Sequence, residues 1–493
     1  MAEVFDSMRF PSAEDGVQIY KMYIDGEWVE ASNRATFEVR NPFDNSLLAR
    51  VQKATINDAE RAVSSAIANK GKMAHMDAVD RAKLLEKVGN LIYQYFDYFV
   101  SIIVADGGKP VSVARGEVEA TAERFKFAAE EAKEIMGESL LGDNVPWHRR
   151  KVGMVLRQPL GVVLAISPFN YPLFIASAKI APALAAGNAV VAKPASDDPI
   201  AVLFLARIIE MAGFPRGVFN VITGGGGDIG DYLAKHENID MNSFTGSSEV
   251  GEHIANIAGM KKLHLELGGK SPALVLEDAD LDVATKQCVS GALKYSGQRC
   301  DAISRILVVD SVADKFIKKV LKEVENWKVG DPREESVQIG PIINERAVQK
   351  IDELVQDAVA KGAKLLAGGN RLQGQYYPPT VLDKVTPNMR IAWEETFGPV
   401  VTIIRVKDYE EAIRIANESV YGLDASVFTE SVDKALDAAL RLEDGTVNIN
   451  AAPAHGVGNF PFGGDKESGM DREGIKFSVE DMTKLHTIIF NPK

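Results

Sequence analysis

Between residues 162 and 244 four short runs, 162–166, 189–192, 218–222 and 241–244, are apolar almost throughout, and helical spacing fills the gaps at 173–186, 199–212 and 229–236. Strands that carry no polar face are buried on both sides, and the segments between them are the crossovers that cover them. The pattern predicts a doubly wound parallel sheet, a fold whose ligands bind outside the carboxyl ends of the strands. The alternation resumes after Gly269, with strands expected at 273–276, 305–309, 400–405 and 446–449 and helices at 312–327, 345–361, 409–417 and 432–442, which reads as a second α/β unit. Ahead of both, residues 1–55 read as strands and turns, including a hairpin on Asp25-Gly26. Residues 57–136 read as helices, with Asn57 or Asp58 capping the first. Residues 142–158 and 485–490 are extended and flank the body, as segments that pair in an assembly do.

With 493 residues the chain can bury several cores, and its net charge of −13 works against binding nucleic acid or an anionic membrane. The apolar stretch 161–192 carries only Lys179 as a charge, yet Pro168, Pro172, Pro182 and Gly187 break it into pieces too short to span a bilayer. Two cysteines, Cys288 and Cys300, exclude a disulfide framework and suit a reducing compartment, and residues 1–10, with Glu3 and Asp6, lack a signal-peptide core. A cytoplasmic location is expected. None of the seven histidines pairs at a metal-binding spacing, so no metal is expected, and no GxSxG elbow is present.

Gly225, Gly227 and Gly230 match GxGxxG at a strand-to-helix turn, where backbone N–H groups can approach a pyrophosphate, although a flexible turn has the same spacing. A second glycine pair, Gly246 and Gly251, follows the next strand, and the two turns together point to a dinucleotide. Cys300 follows Arg299, a cation that favours a thiolate; a packed cysteine is the plainer reading. Glu266, flanked by Leu265 and Leu267, has the setting of a carboxylate raised toward general-base use, or is a surface residue. Asn170 follows a buried strand among prolines and can serve an oxyanion or a turn.

Taken in order, the segments Ser167-Pro168-Phe169-Asn170-Tyr171-Pro172, Lys193-Pro194-Ala195-Ser196, Phe244-Thr245-Gly246-Ser247, Leu265-Glu266-Leu267-Gly268-Gly269-Lys270, Gly297-Gln298-Arg299-Cys300, Glu394-Glu395-Thr396-Phe397-Gly398-Pro399 and Pro461-Phe462-Gly463-Gly464 resemble the aldehyde dehydrogenase superfamily. The resemblance runs from about Tyr23 to about Phe490. It implies a Rossmann-like NAD(P)-binding domain at 1–266, a catalytic domain at 267–470, and a small β oligomerisation arm made from the hairpin 141–159 and the segment 471–493. A homo-oligomer follows, with a tetramer favoured over a dimer.

The resemblance also implies roles. Cys300 is the nucleophile, Asn170 with the Cys300 backbone N–H is the oxyanion site, and Glu266 is the base that hydrolyses the thioester. Ser167, Phe169, Lys193, Ser196, Gly227, Asp231, Gly246, Ser247, Val250, Leu267, Glu395 and Phe397 are the implied coenzyme contacts. Ser196 stands where NAD-preferring members usually carry a glutamate, which repels a 2′-phosphate, so NADP is expected to be preferred with NAD accepted. Within the superfamily the chain is most similar to the NADP-dependent non-phosphorylating glyceraldehyde-3-phosphate dehydrogenases. Tyr171 and Arg299 match their substrate positions, Asn170, Cys300, Asp301 and His455 are expected at the substrate with them, and Ala120 and His455 stand where well-studied members carry arginines. Arg124, one helical turn after Ala120, is expected to take over phosphate binding. The alternatives are a dehydrogenase of succinic semialdehyde, lactaldehyde or glyceraldehyde and, more remotely, a non-catalytic protein of this fold.

Overall fold

A computed structural model describes residues 2–10, 16–456 and 458–491. Met1, residues 492 and 493 and the other remaining positions, which the expected domain limits include, lie outside the described residues. The expected strand at 162–166 is Val162–Ile166, five consecutive buried residues, and it sits inside an eight-stranded sheet. Lys262–Glu266, Met241–Thr245, Val162–Ile166, Ala189–Lys193 and Phe219–Val221 run parallel in that order. Antiparallel strands close both ends: Met22–Ile24 of the Asp25-Gly26 hairpin on one side, and Gly469–Met470 on the other. The crossover helix Pro172–Ala185 is buried at every position, so its lack of an amphipathic stripe follows from its place between layers.

Four helices, Ile56–Ala74, Ala78–Gln94, Phe96–Gly107 and Val111–Glu131, fill the region read as helical. The cap of the first corrects the expectation: Thr55 is the N-cap, and Asp58 is the third helical residue of a reciprocal capping box, while Asn57 lies inside the helix. A threonine with a carboxylate three residues on closes two backbone N–H groups at once, which a cap at Asn57 or Asp58 does not.

The second sheet has seven strands. Thr380–Asp383, Val400–Val406, Arg305–Val309, Pro272–Val275, Asp424–Phe428 and Thr446–Ile449 are parallel, and Lys364–Ala367 is added antiparallel at the edge. Outside both bodies, Glu138–Leu141, Val152–Pro159 and Thr483–Phe490 form a three-stranded antiparallel sheet with exposed apolar side chains, Phe490 among them at 52%. No single helix among the described residues is long and apolar enough to cross a membrane.

The carboxyl ends of the parallel strands deliver the expected motifs to one edge of the first sheet. Ser167 follows Val162–Ile166, Lys193 ends Ala189–Lys193, Thr245 ends Met241–Thr245 and Glu266 ends Lys262–Glu266.

Candidate active site

The loop that carries Cys300 begins where helix Leu281–Leu293 ends. Tyr295 (φ 54°, ψ 43°), Ser296 (φ 54°, ψ 27°) and Gly297 (φ 68°) are three successive left-handed residues. That conformation costs an L-residue about 1–2 kcal/mol, so the loop persists only because its surroundings hold it. Ser296 Oγ donates to the Gly340 carbonyl at 2.9 Å, and Tyr295 packs edge-on against Tyr171 with Lys109 Nζ 4.3 Å from its ring centre. A Cβ at Gly297 would lie 2.1 Å from the Gly398 carbonyl oxygen, so only glycine fits. Gly297→Ala is therefore expected to shift the thiol; a displacement of about 1 Å corresponds to a turnover loss of about 100-fold, read from steady-state kinetics on the folded variant.

Burial and then the charges of Asp301 and Glu266 push the Cys300 thiol well above its ordinary value. Arg299 does not offset this rise, contrary to what the sequence spacing suggested. Its guanidinium is engaged elsewhere: Nε donates to Asp301 Oδ1 at 2.9 Å and Nη2 to the Pro453 carbonyl at 3.3 Å. Asn170 is buried, and its Nδ2 donates to the Gln298 carbonyl at 3.0 Å, which leaves its second amide hydrogen available.

Glu266 is also buried, with His264 Nε2 3.4 Å from its Oε1 and no partner for Oε2. Burial first, and the nearby Glu473 charge second, raise it well above the carboxylate range. Glu473 itself accepts from Lys179 Nζ at 2.7 Å inside the protein, and that ammonium holds it well below the ordinary range. Glu266 lines neither of the two cavities that meet at Cys300.

The first of these, a cleft of about 730 Å³, runs along the strand ends. Ser167, Phe169, Lys193, Gly227, Asp231, Gly246, Ser247, Val250, Leu267, Glu395 and Phe397 line it together with Asn170 and Cys300. Ser196 does not; its hydroxyl turns to the Gly224 carbonyl at 3.1 Å.

A nucleotide suits the donors present. Gly226, Gly227 and Gly230 have nothing within 4 Å of where a Cβ would stand, leaving backbone open to close approach. Ser247 caps helix Ser248–Ile257, whose first turn faces the cleft through Val250. Burial lowers Lys193 to about 8, and among the described residues the ammonium reaches only the Pro194 carbonyl, at 3.5 Å. The Thr245 hydroxyl is buried without a partner. Glu395 accepts from the Gly269 N–H at 3.1 Å, and Phe397, itself left-handed at φ 50°, meets Phe169 edge-on at 5.7 Å.

Sequence reasoning missed the far wall. Asn344, Arg346, Ala347 and Lys350, from the N-terminal end of helix Glu345–Ala360, line the cleft although that helix belongs to the second sheet. The usable signal was Asn344, an N-cap placed directly after an apolar run.

The second cavity, about 490 Å³, is lined by Tyr171, Arg299, Cys300, Asp301 and His455 as expected, and also by Glu117, Ala120, Phe174 and Lys294. Cys300 is the one described residue common to both. Glu117 pairs with buried Lys109 and accepts from the Leu173 and Phe174 N–H groups at 3.0 and 3.1 Å, so it caps the helix that follows Asn170.

Arg124, expected at the substrate, stands one layer back. Helix Val111–Glu131 turns it inward, where its guanidinium lies 4.3 Å from the Phe174 ring centre and Nη2 donates to His455 Nδ1 at 3.2 Å. Because arginine only donates, His455 Nδ1 is the acceptor, and the ring's proton sits on Nε2, facing Glu473 Oε2 at 3.0 Å.

The model of the aldehyde dehydrogenase family matches residues 28–488, and the chain belongs to that family. It is an NAD(P)-dependent aldehyde dehydrogenase, an oxidoreductase with a catalytic cysteine. It is 44% identical over 473 residues to the NADP-dependent glyceraldehyde-3-phosphate dehydrogenase of Streptococcus equinus, covering 96% of this chain and 98% of that protein. It is 39% identical over 478 residues to the lactaldehyde dehydrogenase of Methanococcus aeolicus, covering 96% of this chain and all of that protein. The crystal structure of the NADP-dependent glyceraldehyde-3-phosphate dehydrogenase from Bacillus halodurans, complexed with NADP, superposes with a TM-score of 0.94 at 42% identity, covering 96% of this chain and 99% of that one.

Proposed function

We propose that the protein oxidises glyceraldehyde 3-phosphate to 3-phosphoglycerate with NADP and without inorganic phosphate. The observation that carries this reading is the single thiol shared by a nucleotide cleft and a small cavity whose wall holds Arg299 and Lys294, cations suited to an anionic substrate. Cys300 gives its thiol proton to solvent, Sγ attacks the aldehyde carbon, and the free amide hydrogen of Asn170 with the Cys300 N–H receives the oxyanion that forms as the carbonyl π bond breaks. Bound NADP would supply the hydride acceptor for that carbon, and loss of the hydride would leave a thioester on Sγ. Glu266, once ionised and turned from its buried position toward the cleft, then takes a proton from water through Oε2; the water oxygen adds to the thioester carbon, the C–S bond breaks, and the acid leaves as Sγ regains its proton. Lys193, Glu395 and the glycines at 226, 227 and 230 would hold the coenzyme.

Ser196 in place of a glutamate supports the NADP preference. Ser196→Glu is expected to raise the KM for NADP by about 10- to 100-fold with a small effect on NAD, by placing a carboxylate against the 2′-phosphate. Turnover with each coenzyme over a concentration series measures it, and an unchanged ratio would remove Ser196 from coenzyme choice.

A second reading, a small unphosphorylated aldehyde such as lactaldehyde, is favoured by two observations: Asp301 shares the charge of Arg299, and Arg124 is held back by His455. Reduced-coenzyme formation on glyceraldehyde 3-phosphate, lactaldehyde, glyceraldehyde and succinic semialdehyde separates the two. On the first reading Arg299→Leu raises the KM for the phosphorylated substrate about tenfold or more and spares the uncharged lactaldehyde and glyceraldehyde, as loss of a charge-assisted contact worth about 1.5–3 kcal/mol requires. Equal losses on every aldehyde would sink the phosphate assignment. We place the enzyme in a reducing cytoplasm, where both free cysteines persist, and as a homotetramer joined through the exposed three-stranded arm.

A further inference from the structure

We infer that Gln298, which touches neither cavity, is the positioning residue that sets the register between the oxyanion amide of Asn170 and the nucleophile two residues further on. The inference rests on the oxyanion role proposed for Asn170.

Gln298 is fully buried, and its four polar groups are all bonded: one to its own loop, two to the segment 341–343 and one to the Asn170 side chain. Its N–H donates to the Tyr295 carbonyl at 3.0 Å, closing the left-handed turn. Its side-chain oxygen accepts the Ile343 N–H at 2.9 Å, and its Nε2 donates to the Pro341 carbonyl at 3.4 Å. Its own carbonyl accepts Asn170 Nδ2 at 3.0 Å. One residue therefore ties three things together: the strained loop, the segment 341–343, and the amide that must face the developing oxyanion.

The bond to Asn170 does more than satisfy a buried amide. It consumes one of two amide hydrogens and fixes the rotation of the group, so the direction of the remaining hydrogen is set by where the Gln298 carbonyl lies. That carbonyl is set in turn by the side-chain bonds to 341–343, because the turn before it is left-handed and does not hold itself. The side chain of Gln298 thus acts at a distance on an angle at the reaction centre, where preorganised donors contribute most.

The test uses the intact enzyme and two variants. In Gln298→Ala, kcat for the best aldehyde is expected to fall about 10- to 100-fold, the range set by misplacing a catalytic group by about 1 Å or less. Alkylation of Cys300 by iodoacetamide, which develops no oxyanion, should stay within about threefold of the unaltered enzyme. Because Gln298 works through Asn170, the double variant Asn170→Ala/Gln298→Ala should turn over no more slowly than Asn170→Ala alone. Should Gln298→Ala fail to fold, Gln298→Met keeps the length and volume of the side chain and removes its bonds to Ile343 and Pro341 without adding a charge. It is expected to show the same pattern.

Full turnover by the folded variants would overturn the proposal. So would kcat and alkylation falling together, or losses that multiply in the double variant, since either marks general loosening of the loop. Absence of turnover in the unaltered enzyme with every aldehyde and both coenzymes would overturn the dehydrogenase mechanism and this inference with it, which separates that failure from the others.

Discussion

Cys300→Ala is expected to lower aldehyde oxidation by about five to six orders of magnitude while leaving coenzyme affinity within about twofold, because the sulfur forms the bond on which every later step depends. Coenzyme fluorescence titration and steady-state turnover of the same preparation check the two halves. A residual rate above about one thousandth of the original would mean that the sulfur is not the nucleophile. The thiol's environment adds a pH arm. Burial, Asp301 and Glu266 all hold the proton on, so without coenzyme the rate of alkylation should still be rising beyond the ordinary thiol range of about 8.5. A plateau at or below that range would contradict the electrostatics described for the loop.

The second large effect concerns stability. Lys179 and Glu473 lie 2.7 Å apart with essentially no exposure, so Glu473→Ala leaves a buried ammonium without its carboxylate, a change that costs about 3–5 kcal/mol. Lys179→Met leaves the opposite charge and is expected to be similarly destabilised. The sign of the pH dependence follows from the direction of the shift. Glu473 is held below its unfolded value, so its contribution is fully present above about pH 4.3 and is lost as the pH falls through the folded value. Glu473→Gln should therefore show a shallower loss of stability on acidification than the unaltered protein. Chemical denaturation at several pH values measures both, and a loss under about 1 kcal/mol for Glu473→Ala would show that the pair is solvated.

Much of this arrangement is legible in the amino-acid order, and the reason is local. The buried strands and their crossover helices repeat on the scale of one element, so Val162–Ile166, Tyr409–Asn417 and Thr446–Ile449 are found where their patterns lie. The residues brought to the cleft sit in the short turns just after those strands. What escapes is what depends on distant pairing. Lys364–Ala367 is a short edge strand with two exposed residues, and Gly469–Met470 is a two-residue strand on a sheet built some two hundred positions earlier. The far wall of the cleft escapes for the same reason, since its helix carries the pattern of a cover for a different sheet. Charge depth is less visible: nothing beside Arg124 or Glu473 in the chain marks them as interior, whereas Lys179 is the lone charge of an apolar stretch.

The sulfur of Cys300 is the waist of an hourglass, with about 730 Å³ on one side and about 490 Å³ on the other. The same waist is a point of vulnerability, because a single bulky adduct on that sulfur obstructs both chambers at once.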